Sequence, residues 1–296
     1  VLTDHLSIMP LAIPPTGAEI EISLGYAYSA QVVGVYIADE VEVSGPPGQM
    51  RITGYATAHG KSDAGKSPIT VARSRSWPEN TKVADMVAKI AGESGFKSAI
   101  TAEAGKVTLS HIDQIDESDM NLLTRVARDQ GLIFKPAGGA LVMCKPGESI
   151  SAAGQALPVV AVQPNALSRW SMRIARRAAY AKVVASYRDF ARAEPVDVEV
   201  DAQPKGVAGV AQVKRLKQIY PSEAAARSAA EAEAKRGQRA ARTVQVQMPG
   251  RADLMAEGRL RLVGFRDGVA GDWLITRVVH SLNSGGWSTA VDAETP

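Results

Sequence analysis

Cysteine is nearly missing from this 296-residue chain: Cys144 stands alone, which excludes an internal disulfide framework and any zinc cluster built on thiolates. Aromatic residues make up only 5%, so the bulk of any core must come from Ala, Val, Leu, Ile and Gly. No apolar run approaches the ~18 residues of a membrane span, and the chain does not open on a basic-then-apolar leader pattern. It opens Val-Leu-Thr rather than on methionine, as a processed or partial chain would. The formal net charge of +3 is too small to mark a nucleic-acid partner. What is present is 45% apolar and 22% charged residues, the composition of folded cores. At roughly 100–200 residues per domain, the length suggests two or three domains.

The first seventy residues read as strands. Glu19 to Tyr26 alternates so that Ile20, Ile22, Leu24 and Tyr26 share one face. Val35, Ile37, Val41 and Val43 repeat that parity, interrupted at Asp39. Gly45-Pro46-Pro47-Gly48 reads as a turn, and Arg51–Ala58 and Ile69–Ala72 as further strands. With seven Asp and Glu against three Lys and Arg, this portion is mildly acidic. It reads as part of a small barrel or sandwich.

After Trp77-Pro78 the period changes. Val83, Met86, Val87, Ile90 and Ala91 recur at helical spacing, with Gly95 as the stop. Lys106–Ser110 reads as a short strand. A second helix is expected from about Ser118 to Gln130, capped by Asp116 or Ser118, with Glu117 and Asp119 at its positive end and Gly131 as the left-handed stop. Leu132–Phe134 and Ala140–Cys144 read as strands around a Gly138-Gly139 turn. Strands return at Val159–Val162, Tyr180–Tyr187 and Val196–Val200. An alanine-rich helix at about 222–241 starts at Ser222, and four more strands lie within Val244–Met248, Arg259–Phe265, Trp273–His280 and Trp287–Asp292.

Three patterns invite a chemical reading. Gly60 to Ser67 matches the phosphate-loop pattern G-x-x-x-x-G-K-[ST], whose chemistry needs a helix N-terminus at the lysine. Pro68 and the alternating Ile69-Thr70-Val71 argue for a polar hairpin loop instead. His111 beside Asp113, Asp116, Glu117 and Asp119 suggests a metal or an acid–base pair, but a lone histidine among carboxylates at a helix start fits capping better. The other histidines, His5, His59 and His280, are scattered. Arg73, Arg75, Arg169, Arg173, Arg176 and Arg177 are basic clusters, and residues 205–242 carry nine positive against three negative charges. Without interleaved aromatics these read as solvated faces, not as a nucleic-acid surface. Cys144 within Leu-Val-Met-Cys reads as a small buried hydrophobe. The residues thus name no catalytic, cofactor-binding or metal-binding side chain and no cofactor.

Three stretches carry a family likeness: Arg73-Ser74-Arg75-Ser76-Trp77; His111-Ile112-Asp113-Gln114 with Glu117-Ser118-Asp119 and Leu122-Leu123-Thr124-Arg125; and Gly250-Arg251-Ala252-Asp253-Leu254 with Gly264-Phe265 and Gly271 to His280. In this order they resemble the late control gene D family, the baseplate hub proteins of contractile phage tails, over essentially the whole chain. Asp39 to Pro47 also fits the family's first domain. Relatives have some tens of residues before the stretch like Leu6–Pro15, and some have a longer basic linker after Val200. The resemblance implies an α+β, mainly β fold: two small β-barrel domains like those of tail tubes, at residues 1–72 and 151–296, flanking an α/β domain at 73–150, with a helical insertion in the second barrel region. It implies a structural homotrimer rather than an enzyme, joining the sixfold tail tube to the threefold spike. Its partners would be the spike, the tube, other baseplate proteins and the tape measure protein. It would act in the virion tail baseplate after assembly in the bacterial host cytoplasm. Competing readings are the hub portion of a type VI secretion spike protein, a glycan-binding domain suggested by a faint lysin-motif likeness at Thr81–Gly95, and a cryptic hydrolase or NTPase.

Overall fold

The computed structural model describes residues 2–4, 10–26, 29–46, 48–56, 68–137, 139–148, 150, 155–175, 179–189, 194–204, 206–207 and 211–296. The phosphate-loop pattern at Gly60–Ser67, His5, His59, Arg176 and Arg177 lie outside the described residues.

Strand is the prevailing structure, in an α+β chain with two curled half-barrel sheets. The first sheet has four strands, β1 (Leu2–Asp4), β2 (Glu19–Leu24), β3 (Gln31–Ser44) and β4 (Gly48–Ala56), in the order β1-β4-β3-β2. Cross-strand partners share a face, and Ile20 lies opposite Tyr36, Ile22 opposite Gly34 and Leu2 opposite Met50. β3 shifts register between Ala38 and Glu40. The extra residue, Asp39, is a bulge, and a bulge of one residue reverses parity. Val41 and Val43 therefore join the face of Ile20 and Ile22, while Val35 and Ile37 point to the other. The repeated parity read from the sequence fails for this reason.

The middle of the chain holds β5 (Ala72–Trp77), α1 (Val83–Glu93), β6 (Lys97–Ile100), α2 (Ala102–Gly105), β7 (Ile112–Ser118), α3 (Asp119–Asp129), β8 (Ile133–Ala137) and β9 (Ala140–Cys144). β5 pairs with β7, and a second sheet runs β6-β9-β8. The expected inward face of α1 is buried in full: Val83, Met86, Val87, Ile90 and Ala91 pack with Leu122, Leu123 and Val126 of α3 and with Leu141 and Met143 of β9. Ser118 caps α3 by accepting the Asn121 amide at 3.2 Å. Gly95 and Gly131 close the two helices at positive φ, where a side chain would be strained.

The C-terminal part contains β10 (Val159–Val162), β11 (Arg169–Ile174), β12 (Lys182–Asp189), β13 (Glu194–Asp201), β14 (Val213–Tyr220), α4 (Glu223–Ala240), β15 (Arg242–Pro249), β16 (Arg259–Leu262), β17 (Gly271–Asn283) and β18 (Gly286–Glu294). Six of these strands form one curled sheet, β10-β16-β17-β18-β15-β11. Its inner face carries Val244, Val246, Met248, Leu260, Leu262, Trp273, Ile275 and Val291. The insertion is larger than a helix: β12, β13 and β14 make their own sheet, β13-β12-β14, covered by the alanine face of α4. Ala226, Ala229, Ala230 and Ala234 allow the helix to lie close to Val183, Ala185 and Val198. α4 also meets the end of α3, where Ser228 donates to Gln130 at 2.9 Å.

Other expectations change as well. The strand read at Ile69–Ala72 begins only at its last residue: Pro68–Thr70 is a single 3₁₀ turn, with Ile69 fully buried and Val71 56% exposed, whereas strand alternation would put them on one face, and β5 starts at Ala72. Lys106–Ser110 makes only a bridge from Thr108 to Lys82. The carboxylates assigned to the start of the second helix divide between two elements, Asp116 and Glu117 in β7 and Asp119 in α3.

Leu123→Asp should cost more than about 4 kcal/mol or unfold the chain, since it puts an unpaired carboxylate at a fully buried position. Asp113→Ala, at an exposed site, should leave the stability nearly unchanged. Urea titrations of the two variants measure the contrast, and a neutral Leu123→Asp would contradict the packing of α3.

Candidate functional site

The motif residues converge, and what they build is structural. Asp119, at the first turn of α3, is fully buried. Arg75 from β5 donates through Nη2 to Asp119 Oδ1 at 2.5 Å, and through Nε to Gln114 Oε1 at 2.8 Å. Gln114 from β7 donates through Nε2 to Asp119 Oδ1 at 2.9 Å and to the Glu117 carbonyl at 2.8 Å. The other carboxylate oxygen of Asp119 faces Arg73 Nε at 3.7 Å. Arg75 also reaches Glu93 at the end of α1 at 2.6 Å and stacks over Trp77, 4.7 Å from the ring centre. A buried carboxylate is tolerable only with such charge-assisted donors. Arg125 of α3 holds Glu117 with two bonds, at 3.1 and 2.6 Å. Ser76 donates to Asp113 at 2.6 Å, and Ser74 Oγ accepts the Asp116 amide at 3.1 Å.

The C-terminal motif is equally structural. Gly250 lies beneath Trp287, where a Cβ would stand 1.9 Å from the indole. Arg251 pairs with Asp253, and Leu254 enters the core of the six-stranded sheet. Trp273 is buried and donates its indole N–H to the Val269 carbonyl at 2.9 Å. Tyr26, just past β2, meets Trp287 at 5.2 Å between ring centres, and Trp287 in turn lies 6.0 Å from His280. This contact joins the first sheet to the hairpin of β17 and β18.

His111 is exposed and touches only Asp113 among the cluster's carboxylates, at 3.0 Å. Among the described residues no three His, Cys, Asp or Glu side chains converge as a metal set. A cavity of about 140 Å³ beside His111 is shared by Asp113, Arg125, Asp129 and Tyr220. Burial raises Asp129 above the usual carboxylate range and pushes Tyr220 up to about 12. Cys144 is buried, and desolvation raises its thiol further from the reactive range. The basic stretch at 205–242 is largely neutralised within the chain. Lys214 and Arg236 share Glu233, Arg215 meets Asp197 at 2.6 Å, Arg227 meets Glu223 at 3.1 Å, and Arg239 meets Glu294 at 2.9 Å.

The unsatisfied surface lies on the half-barrels. Of the described residues in the first sheet, only Ile37, Ala38 and Met50 are buried apolar side chains. On the face shared with Ile20, Leu2 is 49%, Ile22 40% and Val43 56% exposed. On the second half-barrel the polar face is a groove of about 400 Å³ lined by Arg169, Ser171, Gln245, Gln247, Arg277 and Asp292. Arg169 and Arg173 read from the sequence as a basic cluster and their strand was missed. The period-two run Trp170, Met172, Ile174 was the signal that could have found it.

Asp119→Ala should destabilise the protein by about 3 kcal/mol or more in thermal or urea melts, because it strands Arg75 and Gln114 in a buried site. Asp119→Asn, which keeps an acceptor there, should lose less. Equal losses would show that the charge pairing has no part in the stability.

Comparison with known proteins agrees with this architecture. The sequence profile of the phage tail baseplate hub family matches residues 70–286. The probable baseplate hub protein of Escherichia phage 186 is 28% identical over 95% of this chain and 80% of its own length. That of Escherichia phage P2 is 27% identical over 96% of this chain and 81% of its own length. Among solved structures, the 43 kDa tail protein of prophage MuSo2 from Shewanella oneidensis shares the fold with a TM-score of 0.71 at 13% identity, covering 99% of this chain and 87% of that one. The tail protein from Neisseria meningitidis MC58 does so with a TM-score of 0.66 at 14% identity, covering 89% of this chain and 80% of that one. The motif network, the two half-barrels and the profile that spans most of the chain lead to one conclusion: this chain belongs to the phage tail baseplate hub family and is a component of the virion's tail baseplate.

Proposed function

We propose that three copies of this hub close into a ring that adapts the sixfold tail tube to the threefold central spike. Each copy contributes two barrel-like units, so three copies offer six. In this reading residues 1–72 form the first unit, 73–150 an outward α/β unit, and 151–296 the second, with residues 182–240 as a layer on its side. A place in the baseplate entails contact with other baseplate and tail components, and here the partners are the spike, the tube and, through the tube, the tape measure protein.

The observation that carries the reading is the partly exposed apolar face of the first sheet, on which Ala38 and Met50 are buried but their neighbours are not. Leu2, Ile22 and Val43 are exposed on a strand face that elsewhere in this chain would be covered. Apolar patches of this kind mark contact surfaces, and free strand edges beside them are completed by pairing with another chain. The work is mechanical: the carboxylates and arginines nearest to a site-like pattern, Asp119, Glu117, Arg75 and Arg125, are engaged in holding elements together. No chemical step is assigned to the chain.

Light scattering on the purified full chain tests the reading. The expected mass is three times that of the 31.2 kDa chain, with each interface burying more than about 1,000 Å². A monomer or a dimer that persists at about 100 μM would overturn it, as protomers that bury interfaces of this size associate well below that concentration.

A further inference from the structure

We propose that copies join edge to edge, the β2 edge of one chain pairing with the β11 edge of the next. This rests on the ring reading above and names the surfaces that would close it.

Among the described residues the strand orders leave β2 and β11 with one neighbour each, β3 and β15. Both edges are six residues long, Glu-Ile-Glu-Ile-Ser-Leu and Arg-Trp-Ser-Met-Arg-Ile. They are the longest outermost strands of the two half-barrels, the other two being β1 with three residues and β10 with four. Both alternate. On β2 the polar face holds Glu19, Glu21 and Ser23 and the apolar face Ile20, Ile22 and Leu24. On β11 the polar face holds Arg169, Ser171 and Arg173 and the apolar face Trp170, Met172 and Ile174. Because side chains repeat every two residues, any register that joins the apolar faces also joins the polar ones. Main-chain groups left open at each edge then pair with each other.

Charge selects the partner. Glu21, Arg169 and Arg173 are solvent-exposed and form no ion pair among the described residues, in a chain that neutralises most of the charges in its basic stretch. Joining β2 to β11 sets Glu21 near an arginine. Joining β2 to β2 sets glutamate against glutamate, and β11 to β11 sets arginine against arginine. Both like pairings are unfavourable. The two isologous contacts that would give a closed dimer are thus disfavoured, and the heterologous contact that remains is the kind that builds a ring. Trp170 and Ile174, 39% and 56% exposed, would be covered by Ile20 and Ile22.

The test uses the full chain and sedimentation velocity over a concentration series. Glu21→Arg alone, and Arg169→Glu with Arg173→Glu, should each raise the concentration needed for assembly about tenfold or more. The chain carrying all three changes should recover assembly to within about threefold of the unmodified protein. Thermal melts taken below the assembly concentration should be unchanged in every variant, since all three positions are exposed. Assembly of the unmodified chain should weaken as salt rises from 50 to 500 mM. An unmodified chain that assembles while the reversals have no effect, or reversals that the triple variant does not rescue, would overturn the edge pairing and leave the ring reading standing. Salt-independent assembly would also count against the pairing. An unmodified chain that never assembles would overturn both.

Discussion

A fully buried carboxylate organises the middle of this protein. Asp119 begins α3, and its charge is held by Arg75 from β5 and by Gln114 from β7. Because Arg75 also binds Glu93 at the end of α1, one residue ties two strands and two helices into a fixed arrangement. Breaking such a pair on one side costs far more than the pair itself contributes, so the geometry is strongly specified. The packed face of α1 against α3 follows from it. So does the platform on which α4 rests, through Ser228 on Gln130 and through Ala232 beside Gly131. Arg259 of the six-stranded sheet reaches the Gly147 carbonyl from the other side, at 2.6 Å.

Against that rigid centre the two half-barrels are unequal. The six-stranded sheet has a full apolar layer, with Trp273, Leu260, Leu262 and Ile275 inside it. The first sheet has a sparse one and leaves Leu2, Ile22 and Val43 in solvent. The first sheet meets the six-stranded sheet through Tyr26 on Trp287, a small aromatic contact. In the proposed ring, a sheet that buries so little within its own chain would gain apolar stabilisation where chains meet. That is the physical basis for reading the chain as a unit of an assembly.

Much of this was legible in the residues. The inward face of α1, the Ser222 cap, the stop at Gly95 and the left-handed Gly131 follow from helix period and termini alone, whereas the choice of Ser118 over Asp116 as the cap of α3 needed the structure. Other features depend on partners distant in sequence. Whether Asp119 caps a helix or is buried in a network is decided by Arg75, 44 residues away. The bulge at Asp39 inserts one residue into the alternation of β3, and it moves Val41 and Val43 to the other face. β11 and β14 were obscured by their charges: Arg169 and Arg173 read as a solvated cluster although Trp170, Met172 and Ile174 alternate with them, and in β14 Lys214, Arg215 and Lys217 surround apolar residues at 213, 216 and 219 that show no period of two. Membership of β12 to β14 in a sheet of their own is set by α4 covering them, which local pattern does not encode.

Hydrogen exchange, followed by mass spectrometry on the full chain above and below its assembly concentration, examines the central claim most directly. Amides of Glu19–Leu24 and Arg169–Ile174 should exchange slowly in the assembled protein and quickly in the dilute one, while those of α3 stay protected in both. Edge strands that exchange at the same rate at both concentrations, in a protein that has assembled, would contradict the claim that these sheets are completed by neighbouring copies.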